Sequence, residues 1–267
     1  MKNNIHSNTK AILDSLKETD IFLGEDKFLN IVKDLKQTPR SGKLVRIKKY
    51  DLKLPCQSIY SHLLSMAYNG DIFQACLDKK LTKAQFDFTC RAIAFHDLSE
   101  SIIGDVPMFT DKNLAGDHYK SDKQKAIEEK LANNLIANGL SSKIKNKFIR
   151  TIKVLEDKDR KKFEFFLFLD KSEPITAVWK YIYLYKKDIN INKFLVAMSD
   201  FFEEKNLMPY CFNEQTKKVA YFLQSKENVF KYYNIGFGIF NEFKEGKISS
   251  QDLKKLIEGQ KLYCTKN

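Results

Sequence analysis

Apolar residues recur at steps of three and four along most of this chain, a period that predicts helices in place of strands. Over residues 9–37 the repeat runs through Ile12 and Leu16, then Phe28, Ile31, Val32 and Leu35, with Gly24 dividing two short helices. The next stretch, TPRSGKLVRIKKYDLKLP (38–55), reads as a basic loop because Pro39, Gly42 and Pro55 interrupt any helix. Residues 57–77 form a helix starting near Ser58 and carrying Ile59, His62, Leu63, Met66 and Ile72. Residues 82–103 form another, with Thr82 as N-cap, and GDVP (104–107) stops it because Pro107 disfavours helix at Val106. Further helices are predicted at 119–138, 141–155 and 160–187, the last rich in aromatics and expected to kink or split at Pro174. After Asp188 three more follow, near 191–206, 213–233 and 249–262.

The resulting expectation is an all-α protein: a helical bundle over residues 1–190 with a C-terminal helical extension, 191–267, packed on it. That extension shows no catalytic constellation, and can cap the domain, build a homodimer interface or close a pocket. Only 10 Gly and 5 Pro are present, too few turn-formers for a many-stranded sandwich or barrel. Hydrophobic residues at 43% allow a packed core. The aromatics, 21 Phe and 12 Tyr against one Trp, suggest that rings fill it.

The net charge of +12 favours anionic partners such as nucleotides, nucleic acid or an acidic surface, although the lysines are spread along the chain as on an ordinary solvated face. Five cysteines, odd in number and without a C-x-x-C pair, argue against a disulfide framework and a thiolate zinc site. The N-terminal MKNNIHSNTKAILDSL lacks an apolar signal core and no run reaches membrane-spanning length, so a cytoplasmic protein without membrane contact is expected.

The chemistry concentrates in AFHDLSESIIGDVP, residues 94–107. Imidazole and carboxylate suit borderline divalent cations, and adjacent His96 and Asp97, about 100° apart on a helix, can both reach one ion held against its buried side. Two ligands do not make a firm site; His62 on the preceding helix and Asp170 in the apolar stretch FEFFLFLDKSE are the available partners. Asp170, flanked by Phe165 to Leu169, is costly to bury unless paired or metal-bound, and equally reads as a surface residue paired with Lys171. Glu100, four residues after His96, stands where an acid can orient or deprotonate a water, and Asp105 follows in the turn. The basic stretch, with Arg40, Lys43, Arg46, Lys48 and Lys49, is either a solvated connection or a cover that neutralises phosphate, with Arg40 and Arg46 the substrate-binding candidates. His6 and His118 read as incidental.

The pattern H-D-x-x-E-x-x-x-G-D-x-P resembles the HD superfamily of metal-dependent phosphohydrolases, and within it the branch of bacterial 5′-deoxynucleotidases and related small hydrolases. The resemblance covers roughly residues 30–187. It implies one divalent metal (Mn, Co, Zn, Fe, Ni or Mg) held by His62, His96, Asp97 and Asp170. By the same likeness Glu100 activates the water, Asp105 acts near the substrate, Arg40 holds the phosphate and Glu128 lies near the pocket. The chain departs from that branch in reading Ile59, Tyr60 and Ser61 before the first histidine. Ser41, Gly42 and Lys43 stand where relatives carry a ring after the loop arginine, a difference that bears on base or sugar recognition and not on metal binding. The expected function is hydrolysis of a (deoxy)nucleoside phosphate. The alternatives are a phosphohydrolase of an alarmone, a cyclic nucleotide or single-stranded nucleic acid, and a non-enzymatic metal-binding protein.

Overall fold

The computed structural model describes residues 25–77, 81–105, 120–157, 159–185, 194, 196–225 and 228. The helix predicted before residue 24, the one at 249–262, the stop at Pro107, and His6 and His118 lie outside these residues. The protein is all-α: helices α1 (Glu25–Gln37), α2 (Ser41–Lys49), α3 (Ile59–Cys76), α4 (Lys83–Phe95), α5 (Glu100–Ile103), α6 (Asp122–Gly139), α7 (Ser142–Leu155), α8 (Glu164–Tyr185) and α9 (Glu214–Gln224). Among the described residues, β structure is limited to an isolated antiparallel bridge between Pro39 and Ser58.

The chain divides into two units, one drawn from Met1–Val45, Pro55–Leu63 and Cys90–Asp159, the other from Arg46–Leu54, Leu64–Thr89 and Arg160–Asn267. In the first unit α5 packs against α1 and α6, and α6 against α7. Ile31 and Leu35, one turn apart on α1, meet Ile59, Leu98, Ile102, Ile136 and Phe148 in a continuous apolar core. Phe95 stands edge-to-face on Phe148 at 5.7 Å between centroids, a favoured arrangement of two ring quadrupoles. In the second unit α8 is buried on nearly all sides, and α9 packs along it. Trp179 of α8 stacks on Phe222 at 5.3 Å and donates its indole N–H to the Leu223 carbonyl at 2.9 Å. Gly70 of α3 lets α8 approach closely, since a Cβ there would lie 3.1 Å from Leu169 Cδ1.

Helix ends follow local chemistry. Thr82 caps α4 as the sequence predicts, its hydroxyl accepting from the Gln85 amide while Gln85 Oε1 accepts from the Thr82 amide. Asn213 and Thr216 form the equivalent box at the start of α9.

Four expectations are corrected. The basic stretch is no loop: Pro39 and Pro55 flank α2, Gly42 occupies its first turn, and Lys43, Arg46 and Ile47 share a buried face. The helix predicted over 82–103 breaks after Phe95: His96 Nδ1 meets the Ile93 carbonyl that the Asp97 amide would use, and the Ser101 hydroxyl takes that of Leu98. The chain from Leu98 to Ile102 closes instead through three-residue turns, among them Glu100 amide to Asp97 carbonyl. Of the two outcomes expected at Pro174, the split is excluded, since α8 continues through it to Tyr185. Finally, the helix predicted near 191–206 ends by Ala197: Ser199–Phe202, Glu204–Asn206 and Met208–Tyr210 are separate 3-10 turns, while residues 191–193 and 195 lie outside the described residues. The side-chain amides of Asn206 and Gln224 bond the carbonyls of Asp200 and Glu203 that a longer helix would use.

Candidate metal centre

Backbone pairing sets the frame of the site in the first unit. The Arg40 amide donates to the Gln57 carbonyl at 2.8 Å and the Ile59 amide to the Thr38 carbonyl at 2.9 Å, on either side of the Pro39–Ser58 bridge. The segment bearing Arg40 is thereby tied to the first turn of α3, and His62 follows one turn later, fully buried. His96 and Asp97 stand where α4 ends.

Three side chains converge. Asp97 Oδ2 lies 3.5 Å from His62 Nε2 and 3.2 Å from His96 Nε2. The two rings are 5.8 Å apart at 61°. All three potential ligand atoms fall within 4.8 Å of one another. These separations test whether a cation fits: ligands about 2.0–2.2 Å from a common ion stand roughly 3.0–3.5 Å apart in tetrahedral or octahedral arrangement. The donor chemistry agrees. His96 Nδ1 faces the Ala92 carbonyl at 3.1 Å and the Ile93 carbonyl at 3.2 Å. Two such acceptors assign the ring proton to Nδ1 and turn the Nε2 lone pair toward Asp97. Two imidazoles and a carboxylate so placed fit a divalent metal.

Charges of both signs crowd around the cluster. Burial acts to raise the Asp97 pKa, but His96, by charge and hydrogen bond, then His62 and Arg40 outweigh it and hold the carboxyl well below the usual range. Glu100 goes the other way: burial, then the negative charges of Asp97 and Asp105, push it well above the ordinary glutamate value, with Arg40 and Lys125 offsetting only part.

Arg40 reaches three carboxylates, Asp105 Oδ1 at 2.9 Å, Asp97 Oδ2 at 3.5 Å and Glu100 Oε2 at 3.7 Å. The other Asp105 oxygen accepts from the Ser41 amide, one of the donors that the first turn of a helix leaves unbonded. Gly104, whose φ is positive, makes the turn that delivers Asp105 to this position. A side chain would be strained in that left-handed conformation.

The remaining sequence candidates have their own surroundings. Arg46 belongs to the second unit, fully buried, 2.8 Å from Asp200 and 5.0 Å from the centre of the Phe201 ring. The second contact is a cation–π approach. Asp170, also in the second unit, has Lys171 Nζ 2.7 Å from its carboxylate. Glu128 is wholly buried in the first unit and pairs with Lys120 Nζ at 2.6 Å. Sequence reasoning missed Lys120, the Ser41 amide and Lys125, which pairs with Glu129 at 3.5 Å and whose charge reaches Glu100. The i,i+4 spacing of Lys125 and Glu129 was visible as a helix pair, without sign of where it faced.

An all-α frame thus holds a His-His-Asp cluster, His62 buried and His96 and Asp97 partly so, beside a carboxyl and a guanidinium, a ligand set that could bind a metal ion. A family model described as HD domain matches residues 32–208, and the chain belongs to that family, whose members are generally metal-dependent hydrolases. No curated protein and no solved structure matches the chain. No helix among the described residues is long and apolar enough to cross a membrane.

Proposed function

We propose that this protein is a metal-dependent phosphohydrolase of nucleoside phosphates, a nucleotidase acting on a (deoxy)nucleoside phosphate. The observation that carries the reading is the convergence of His62, His96 and Asp97, with Glu100 and Arg40 joined to the same cluster. A divalent ion held by the three ligands would supply Lewis acidity toward a phosphoryl oxygen and lower the pKa of a water. Glu100, 3.7 Å from the same Arg40 guanidinium that reaches Asp97, suits the task of orienting that water and accepting its proton. The Arg40 guanidinium, fixed by Asp105, offsets negative charge that develops on the phosphoryl oxygens. Asp170 enters as fourth ligand through the family resemblance alone, and metal affinity in Asp170→Ala tests it. The nucleotide part rests on that resemblance together with the net charge of +12. Arg46 is left to its structural contacts.

The test is a screen of nucleoside mono- and triphosphates with Mn, Co, Zn, Mg and Ni, reading phosphate against pyrophosphate or triphosphate release. Phosphate release from a monophosphate is expected. Asp97→Ala should abolish metal uptake, whereas Glu100→Ala should keep the metal and lose turnover by about a hundredfold or more. Turnover of other phosphoesters but of no nucleotide would overturn the substrate class. Normal turnover by Glu100→Ala would overturn its assigned role.

A further inference from the structure

Lys120 and Glu128 stand apart from the metal cluster, yet both are held in a way that a surface ion pair is not. Glu128 is fully buried on α6, and the Lys120 ammonium, itself nearly buried, donates to it at 2.6 Å. A pair so enclosed loses much hydration, which its mutual attraction alone need not return. The same ammonium makes a further bond, donating to the Ile103 carbonyl at 3.2 Å.

That carbonyl lies at the last residue of α5, where a helix leaves its acceptors unsatisfied. Gly104 follows in its left-handed conformation and Asp105 comes next. The chain between the Ile103 carbonyl and the Asp105 carboxylate is therefore two residues long and contains the one φ angle that a glycine makes soft. Without an anchor at Ile103, Asp105 would have an adjustable tether. With Lys120 fastened to buried Glu128, the end of α5 is tied to α6 by charge and hydrogen bond as well as by apolar packing.

We propose that Lys120 and Glu128 are positioning residues for the arginine of the site. Through the Ile103 carbonyl they hold Asp105 where one oxygen meets the Arg40 guanidinium and the other the Ser41 amide. Glu128, which the family resemblance placed near the pocket, acts on substrate through Lys120, Asp105 and Arg40.

The test is hydrogen exchange resolved to single amides in the full chain, comparing wild type with Glu128→Gln and Lys120→Met. The Ser41 amide should exchange at least about tenfold faster in both variants, while the His96 amide, bonded to the Ala92 carbonyl, keeps its wild-type rate. Unchanged exchange at Ser41 would overturn the proposal, as would equal acceleration at both amides, which marks general loosening. Glu128→Gln is isosteric and carries the measurement if Lys120→Met does not fold; failure of Glu128→Gln itself to fold would assign the pair to the core and also overturn the proposal. A kinetic arm rests on the nucleotide phosphohydrolase reading. Glu128→Gln should raise KM in the direction of Arg40→Ala, and the double variant should be within about twofold of Arg40→Ala alone. Full additivity in that cycle would overturn the coupling. Absence of turnover in wild type would instead sink the functional reading, with the exchange arm still deciding the positioning role.

Discussion

Asp105 holds Arg40 from two sides, one carboxylate oxygen 2.9 Å from the guanidinium and the other accepting from the amide of the next residue, Ser41. The side chain and the backbone of the arginine segment are therefore set by one carboxylate. Asp105→Asn keeps an oxygen for one of these contacts and loses the charge for the other. It should lower kcat/KM by roughly 10–100-fold and leave metal affinity within a fewfold of wild type. Steady-state phosphate release and metal titration check both halves, and a large loss of metal affinity would contradict the division of roles.

The raised pKa of Glu100 has a signature in stability. With the metal stripped, the folded protein holds a proton on Glu100 that the unfolded chain releases near the ordinary glutamate value. Its stabilising contribution is present below that value and is lost as pH rises through the raised one. Asp97, held below the usual range, contributes the opposite slope, but only at lower pH. Urea midpoints measured in chelator from about pH 5 to about pH 8 should fall with rising pH, and Glu100→Gln should flatten the trend. Saturating divalent metal should do the same in wild type.

Arg46 and Asp200 form a structural pair. Asp200→Ala leaves a fully buried guanidinium without this carboxylate. The loss should be on the order of 1 kcal/mol. It stays below that of a wholly enclosed pair because Asp200 is itself partly exposed, so solvent already screens the attraction. Replacing both ends with apolar groups, as in Arg46→Met with Asp200→Leu, should cost less than Asp200→Ala alone. Denaturant melts of the single and double variants decide it.

Cys211 should be a slow thiol. Burial pushes its pKa up to about 11, with Lys217 and Thr216 offsetting part. At pH 8 that leaves roughly a hundredfold less thiolate than an ordinary cysteine has. The folded state binds this proton more tightly than the unfolded state, so the associated stability is present below the ordinary thiol value and disappears as pH rises through about 11. Timed alkylation followed by peptide mapping should show exposed Cys90 modified well before Cys211. Equal rates would contradict the burial argument.

Much of the site was legible in the sequence because its chemistry sits in a short, dense segment. His96, Asp97, Glu100 and Asp105 carry both residue type and spacing, and His62 shared an element with clear helical period. What the sequence hid was decided by particular side-chain contacts, some distant along the chain and some local. The helix at Ser41 starts with its first amide bonded to an Asp105 oxygen, a partner far outside any local window. The break after Phe95 coincides with an imidazole that meets the Ile93 carbonyl, which periodicity does not register. Glu128 in KQKAIEEKL was singled out by the family resemblance alone; nothing local in the sequence indicated its burial against Lys120.

The bridge between Pro39 and Ser58 works as a clasp at the neck of an excursion. Because hydrogen bonds close the chain at Thr38–Ile59 and Arg40–Gln57, the spacing from guanidinium to first imidazole is fixed at the neck and is insensitive to how much chain hangs beyond it. The exposed left-handed residue Asp51 is a place where the excursion can lengthen. Added chain there raises the closure entropy by only about 0.6 kcal/mol per doubling. Insertions at Asp51 can therefore vary the length of that region while the hydrogen bonds at its neck stay in place.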